Sequence, residues 1–425
     1  MRNRFLLASL LLLIFHAAYA QLSIEECYEK AETNYPLIRQ YGLIERSRDY
    51  NLSNASKGYL PQFQFSAKAT YQSEVTQLPF STEEFSAILP GVTIPNVDKD
   101  QYSATLDLNQ NIWDGGTIKA QKESIRTQAE VDMRNLEVTL YSVRDRVNQV
   151  FFGILLQDEM LKQNTLYQEE LQRNYQQVSA YMENGLANQA DLDAVEVEQV
   201  QAVQNRVTLV YNKKTYMEML SALIGEKVDE STRLIRPDVD PRYPLTIHRP
   251  ELLLYQAQMD NAEARRKEIR AGVMPKLGIF VTGGYGKPGL NMFENKFSGY
   301  YIAGASLNWN ISNFYTRKNS LSTIELNKEM IQSQMDTFLF NTNLDVTQNN
   351  NQIQQYREMI KSDDDIIRLC RSVKNSAEAK VSNGTLSVLD LMKEVNAEQT
   401  AIQDKILHEI QLIQAVYNLK YITND

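Results

Sequence analysis

The chain has 425 residues, 44 basic against 53 acidic side chains, a net charge of −9 at pH 7 and two cysteines. An acidic balance without a long basic run argues against nucleic acid as a partner. No apolar stretch of about 18 residues occurs beyond the first twenty, which excludes spanning helices there and leaves any membrane crossing to strands.

In chain order, Arg2 and Arg4 precede an apolar run from Phe5 to Phe15 and then Ala18-Tyr19-Ala20, the layout of a cleaved secretory signal at 1–20. That run is too short for a helical anchor, which needs ~20 residues. The mature chain is expected to start at Gln21 with 42 basic and 53 acidic side chains, a balance of −11. Cys27 follows Glu25-Glu26 and not the cleavage point, so lipid attachment is not expected.

The remainder is one plan used twice. A shift of 199 lays Tyr102–Ile112 on Tyr301–Ile311, Asn184-Gly185 on Asn383-Gly384, and Asp191-Leu192 on Asp390-Leu391. Upstream the shift is 214, pairing Pro36 with Pro250 and Gly58 and Pro61 with Gly272 and Pro275. The 15 extra residues therefore fall between Tyr71 and Tyr102, a length-tolerant loop. The first repeat is expected at 21–225, with strands at about 61–73 and 101–113, a long helix at about 117–184 and a return helix at about 188–225. A linker holding Pro237, Pro241 and Pro244 spans 226–247. The second repeat covers 248–425, with strands at about 276–286 and 299–311 and helices at about 316–383 and 387–421.

Within the strands, Phe63, Phe65, Ala67, Ala69 and Tyr71 alternate with polar residues, as do Tyr102, Ala104, Leu106 and Leu108. Leu277, Ile279, Val281 and Tyr285, then Tyr301, Ala303, Ala305 and Leu307, repeat the pattern. Alternation over ~10 residues fits a transmembrane barrel strand, although a soluble sheet with one wet face alternates too. Aromatics favour the membrane. Trp113 and Trp309, near Phe314 and Tyr315, end the returning strands, while Tyr71, Tyr102, Tyr285, Tyr300 and Tyr301 stand at the opposite ends, as two interfacial girdles require. Four strands cannot close a barrel, whose smallest bacterial forms have about eight, so the chain must pool strands with copies of itself.

Leu136, Leu140, Val143, Val147, Val150, Ile154 and Leu161 keep a 4-3-4-3 spacing that continues through Leu171, Tyr175, Val178 and Met182, a coiled-coil seam. Adding 199 gives the second seam, including Met335, Leu339, Val346, Ile353, Cys370 and Val381. A helix from Thr117 to Gly185 would be ~100 Å long. Asn184-Gly185 and Asn383-Gly384 supply the left-handed residue that stops each long helix, so each turn is a hairpin tip. This organisation sets Cys27 and Cys370 too far apart to bridge.

Enzymatic chemistry is missing from the pattern. His248 and His408 stand alone, with no second His and no Cys at ligand spacing, so no metal and no cofactor is expected. Gly284-Tyr-Gly286-Lys-Pro-Gly289 matches a dinucleotide fingerprint, but Pro288 stands where its helix should start, and a hairpin loop accounts for it better. Asp363-Asp364-Asp365 reads as a solvated helix face.

Leu22-Ser-Ile-Glu-Glu-Cys-Tyr-Glu-Lys-Ala31 with Asn34-Tyr35-Pro36, Arg249-Pro250-Glu251-Leu252, Trp113-Asp114-Gly115-Gly116, and Asn-Gly followed by Asp-Leu at both tips resemble, in this order and spacing, the outer-membrane efflux protein family of the TolC type. The resemblance implies a membrane β-barrel plus an all-α coiled-coil tunnel, closed only in a homotrimer as a 12-stranded barrel and a 12-helix tunnel. It further implies outer-membrane lipid around the barrel and a periplasmic adaptor and inner-membrane transporter at the tips, with passage and not bond-making as the chemistry. Asp191 and Asp390 then stand at the family's acidic aperture positions; as first-turn carboxylates they would equally answer the helix macrodipole. Lys393 stands where some members carry a second acid, and Leu386 where some carry an Arg. Asn184, Gly185, Leu186, Asn383, Gly384 and Leu386 become the adaptor-docking tips. Two rival readings are a non-conducting trimeric coiled-coil stalk or adhesin, which predicts long outer segments, and a periplasmic adaptor, which predicts one hairpin flanked by β domains.

Overall fold

A computed structural model describes residues 21–76, 97–238 and 246–424. The signal expected at 1–20, the middle of the loop after Tyr71, and Pro241 and Pro244 lie outside the described residues. The elements in order are β1 (Gln21–Leu22), α1 (Ile24–Asn34), α2 (Gln40–Ser56), β2 (Gln62–Tyr71), β3 (Asp100–Trp113), α3 (Thr117–Tyr141), α4 (Val143–Glu183), α5 (Gln189–Ile224), β4 (Arg233–Leu234), α6 (Pro250–Ala271), β5 (Lys276–Lys287), β6 (Ser298–Asn308), α7 (Asn313–Ser382) and α8 (Val388–Thr423). The chain divides into a unit of Tyr41–Met133 with Leu254–Ser333 and a unit of Met1–Gln40, Arg134–Leu253 and Gln334–Asp425.

The first unit is built on a four-stranded sheet in the order β2-β3-β5-β6. Every pair is antiparallel, so the repeats join through β3 and β5, with Leu106 opposite Gly283 and Leu108 opposite Val281. The register gathers the alternating apolar set onto one face: Phe65 lies opposite Leu106, Ala67 opposite Ala104, and Ile279 opposite Ala305. Those side chains stay in the open, with Phe65 at 71% and Leu307 at 66% exposure, the reverse of a soluble sheet packing its core. β2 and β6 carry outer edges that pair with no other strand among the described residues.

The step from β3 to α3 explains Asp114-Gly115-Gly116. Both glycines have left-handed φ, +69° and +84°, and a Cβ on Gly115 would meet Met274 Cβ at 2.6 Å. Asp114 then accepts from Gly116 N at 3.0 Å and Ile118 N at 2.6 Å, satisfying donors that a new helix leaves open. The second repeat turns differently: Trp309 Nε1 donates to Val273 O at 3.0 Å and Asn313 Nδ2 to Gly272 O at 2.8 Å.

In the other unit, Ser23 and Glu26 form a capping box that starts α1. Cys27 and Ala31 of α1 enter a core with Val147, Val150, Phe151, Phe152 and Ile154 of α4, Leu220 and Ile224 of α5, and Ile413 and Tyr417 of α8. Burial pushes the Cys27 thiol up to about 12, so it behaves as a small core residue. Cys27 and Cys370 are both free thiols. The expected single helix from Thr117 is divided at Ser142. There the backbone stays right-handed helical, φ −62° and ψ −17°, and Ser142 Oγ donates to Thr139 O at 2.7 Å, a back-bond that disturbs the ladder without breaking direction.

Coverage differs between the seams. Val143, Val147, Val150, Ile154, Leu171 and Val178 of α4 are buried, whereas on α7 only Val346, Ile353, Ala377 and Val381 of the expected set are. α7 also leaves Phe340, Leu344, Leu369 and Val373 exposed, and α5 leaves Val200, Val203, Val207 and Tyr211 exposed. Gly153 of α4 faces Tyr216 of α5, whose ring atoms would lie 3.0 Å from an added Cβ. Replacing Gly153 by Leu overpacks this contact and is expected to cost about 1–3 kcal/mol, read as a lower urea midpoint of purified protein; an unchanged midpoint would show that the helices part freely here.

Three expectations need correction. Asp363 is not solvated: it is buried and its Oδ2 lies 2.7 Å from His408 Nδ1, an acidic partner that reaches the histidine from another helix. Asp364 pairs with Lys405 at 2.5 Å and Asp365 with Arg368 at 2.9 Å. Tyr300 lies opposite Gly284, one position out of step with Tyr301 and Gly283, and so faces away from the apolar belt.

Candidate functional site

Two regions hold the sequence-selected residues: the hairpin tips and the sheet's apolar face. At the first tip α4 ends at Asn184, and Gly185 takes φ +73°. Leu186 N donates to Tyr181 O at 2.8 Å and Gly185 N to Met182 O at 3.1 Å, the bond pair of a Schellman stop. At the second tip Gly384 takes φ +68°, and Thr385 N donates to Lys380 O at 2.9 Å. The asparagines do the same work twice: Asn184 Nδ2 caps Ala180 O and Asn383 Nδ2 caps Ala379 O, both at 2.7 Å.

Beyond each glycine a return helix must satisfy its own first N–H groups. Asn188 Oδ1 accepts from Ala190 N and Asp191 N, and Asp191 Oδ2 accepts from Asn188 N at 3.0 Å, closing a capping box. In α8, Ser387 Oγ accepts from Asp390 N at 3.1 Å and donates to Asp390 Oδ2 at 2.7 Å. Lys393 Nζ reaches the other oxygen, Asp390 Oδ1, at 2.8 Å. Hydrogen bonds from Lys393 and then Ser387 hold the Asp390 carboxyl below the ordinary range. The duplicated aspartates thus differ: Asp390 carries its own counter-charge, and Asp191 is bonded to backbone.

Both tips share one apolar cluster, in which Val178, Leu192 and Val195 meet Val381, Val388, Leu391 and Val395. The cluster separates the two leucines selected from sequence. Leu186 is exposed, while Leu386 packs against the cluster. Leu389, also exposed, was missed; its signal was an apolar residue in the first turn on the face opposite Leu391.

Behind the tip an ion network crosses three helices. Glu398 of α8 forms ion pairs with Lys374 at 2.6 Å and Arg371 at 2.7 Å, both of α7, and Lys374 also reaches Glu170 of α4 at 2.5 Å. Tyr167 Oη bonds Asn396 Oδ1 at 2.5 Å and Gln163 Nε2 bonds Gln399 Oε1 at 3.0 Å, so the two hairpins are tied by polar links as well as packing.

On the sheet, Tyr71, Tyr102, Tyr285 and Tyr301 stand on the apolar face at the loop end, opposite Asp100, Ala69 and Lys287, Ala104, and Gly283 respectively. Trp113, opposite Leu277, and Trp309 stand at the helix end, about half exposed. From Tyr102 to Trp113, β3 advances about 36 Å at ~3.3 Å per residue, or about 26 Å across a bilayer at ~45° tilt. That is the height of the apolar band on an outer-membrane barrel, about 25 Å.

The family model described as "Outer membrane efflux protein" matches residues 27–226 and 244–425. The toxin and drug export protein A of Aggregatibacter actinomycetemcomitans is 23% identical over 310 residues, covering 69% of this chain and 63% of that protein. The chain thus spans a little under two thirds of that relative's length. The fold is that of solved channels: CusC superposes with a TM-score of 0.70 at 13% identity, covering 94% of this chain and 91% of CusC. VceC of Vibrio cholerae gives 0.68 at 12% identity, covering 94% and 95%.

Proposed function

The chain belongs to the outer membrane efflux protein family, and on that footing we propose that it is the outer-membrane exit duct of a tripartite efflux or type I secretion system. The observation that carries this reading is a sheet of four antiparallel strands with one apolar, exposed face and two unpaired edges among the described residues. β2 and β6 run antiparallel in sequence of alternation, so β6 of one copy can accept β2 of the next and keep every pair antiparallel. Three copies give twelve strands, an even number within the range of bacterial barrels. The exposed apolar faces of α5 and α7 are then covered by neighbouring copies, and the hairpins extend into the periplasm.

In this reading Trp113, Trp309, Tyr71, Tyr102, Tyr285 and Tyr301 sit at the two bilayer interfaces. The hairpin tips, Asn184 to Leu186 and Asn383 to Leu386, meet an adaptor bound to an inner-membrane transporter. Asp191 rings the aperture as the unneutralised charge, with the Asp390–Lys393 pairs beside it. The protein conducts and makes no bonds.

Conductance of the purified protein in planar bilayers tests the duct. Asp191→Asn and Asp390→Asn remove charge while keeping a side-chain acceptor for the caps, so the double variant is expected to pass current with cation selectivity lowered several-fold. A protein that inserts as a trimer and never conducts, in either form, would favour the stalk and end the duct reading.

A further inference from the structure

The sheet's second face is polar on β2 and β3, with Gln64, Ser66, Lys68, Thr105 and Asp107, but not on β5 and β6. There the register places Phe280 beside Asn109 and Gly304, Ile302 beside Thr282, and Tyr300 beside Gly284. The two rings lean over the glycines. A Cβ on Gly304 would lie 3.0 Å from Phe280 Cζ, and one on Gly284 would lie 2.6 Å from Tyr300 Oη. Such coverage is a known way of shielding glycine in a sheet, and it accounts for rings at these two positions. It does not account for Ile302, which faces Thr282 with no glycine to cover and remains 41% exposed. Phe280, Ile302 and Tyr300 therefore form an apolar strip of neighbouring register positions on two strands of an otherwise polar face.

A carboxylate borders the strip. Asp107 Oδ1 accepts from Thr282 Oγ1 at 2.5 Å, and Thr282 is the cross-strand neighbour of Ile302. A planar apolar surface can lie on rings that are themselves laid along the sheet, and a positive charge beside it would face Asp107. We propose that Phe280, Ile302 and Tyr300 are specificity-determining residues of the barrel lumen, contacting exported solutes that carry an aromatic or extended apolar surface and, by preference, a positive charge. The inference rests on the duct reading, which makes this face the lumen.

The test is block of single-channel current by three probes: ethidium, an aromatic cation; tetraethylammonium, a cation without an aromatic surface; and 8-anilinonaphthalene-1-sulfonate, an aromatic anion. Ethidium is expected to interrupt the current longest and tetraethylammonium least. Phe280→Ser and Ile302→Asn should each shorten ethidium dwell roughly two- to tenfold, the value of a lost aromatic or apolar contact, with tetraethylammonium unchanged. If Phe280→Ser fails to assemble because Gly304 is uncovered, Ile302→Asn, which leaves both ring–glycine pairs intact, decides alone. A channel that conducts normally but holds ethidium no longer than tetraethylammonium, or equally long in the variants, overturns the strip and leaves the duct standing. Absence of current in every form overturns both.

Discussion

Replacing Arg249 by Met is expected to destabilise the protein by about 3–5 kcal/mol, the cost of stripping one partner from a buried ion pair. The guanidinium bonds Glu251 through Nε at 2.9 Å and again through Nη2, and donates from Nη1 to Tyr421 O at 3.2 Å. It lies 4.8 Å from the Tyr141 ring centroid and 4.9 Å from that of Tyr421, and those rings stack on each other at 5.0 Å. The two charged side chains are 13% and 15% exposed, so solvent screens the pair little. Met keeps the length of the side chain but abandons the Glu251 carboxylate in apolar surroundings. Lys restores a charge without the planar fork, and should recover only part of the loss. Arg249→Met combined with Glu251→Leu, which removes both charges, should recover most of it. Thermal and urea unfolding followed by circular dichroism would read these differences; a single variant within 1 kcal/mol of wild type would show that the rings alone hold the joint.

Lys374→Met should cost about 3 kcal/mol for the same reason at another place, because Glu398 is then left with Arg371, a partner 58% exposed. Here pH gives a second readout. Burial alone would raise the Glu398 carboxyl, but the ion pair with Lys374 and the hydrogen bond from Arg371 outweigh it and hold the group below its ordinary 4.5. A carboxyl held lower in the folded chain than in the unfolded one stabilises the fold fully above the unfolded value, and that stability fades as pH falls through the folded value. Lys374 runs the other way: burial would lower it, the hydrogen bond to Glu170 and the ion pair with Glu398 raise it above 10.5, and its contribution is lost as pH rises past that point. The tie between the hairpins is therefore complete from about pH 5 to about pH 10. Wild type should lose stability more steeply than Lys374→Met as pH drops below about 4.5; parallel curves for the two proteins would remove the network from the account.

Much of the fold was legible because the strands obey one rule on one face. Phe63 through Tyr71 and Tyr102 through Leu108 alternate without error, so that face is apolar from end to end, as the proposed contact with lipid requires. The opposite face tolerates exceptions, which is why Phe280, Ile302 and Tyr300 gave no pattern to follow, and why Tyr300 passed for a girdle residue beside Tyr301. The α4 seam was readable from spacing because it is buried on several sides. The α7 seam has the same spacing and less cover within the chain, a difference that lies in neighbours and not in sequence. At the tips Asn-Gly announced the turns, since only glycine takes that backbone cheaply. The Asp390–Lys393 bond was present as an acid and a base three apart on a helix, but its effect, unequal charge at duplicated positions, emerged only with the rotamers. Asp363 shows the limit: its buried partner, His408, lies 45 residues away.

The unpaired edges of β2 and β6 have a bearing on how the protein comes to exist at all. An open edge beside an exposed apolar face is a template for indiscriminate strand addition, so a lone folded protomer is the species most prone to aggregate. In the proposed duct the ladder is completed only between chains, which makes folding the sheet and counting the subunits a single reaction. For three copies the equilibrium varies with the cube of protomer concentration, and dilution acts on the barrel as a denaturant does on a monomeric domain.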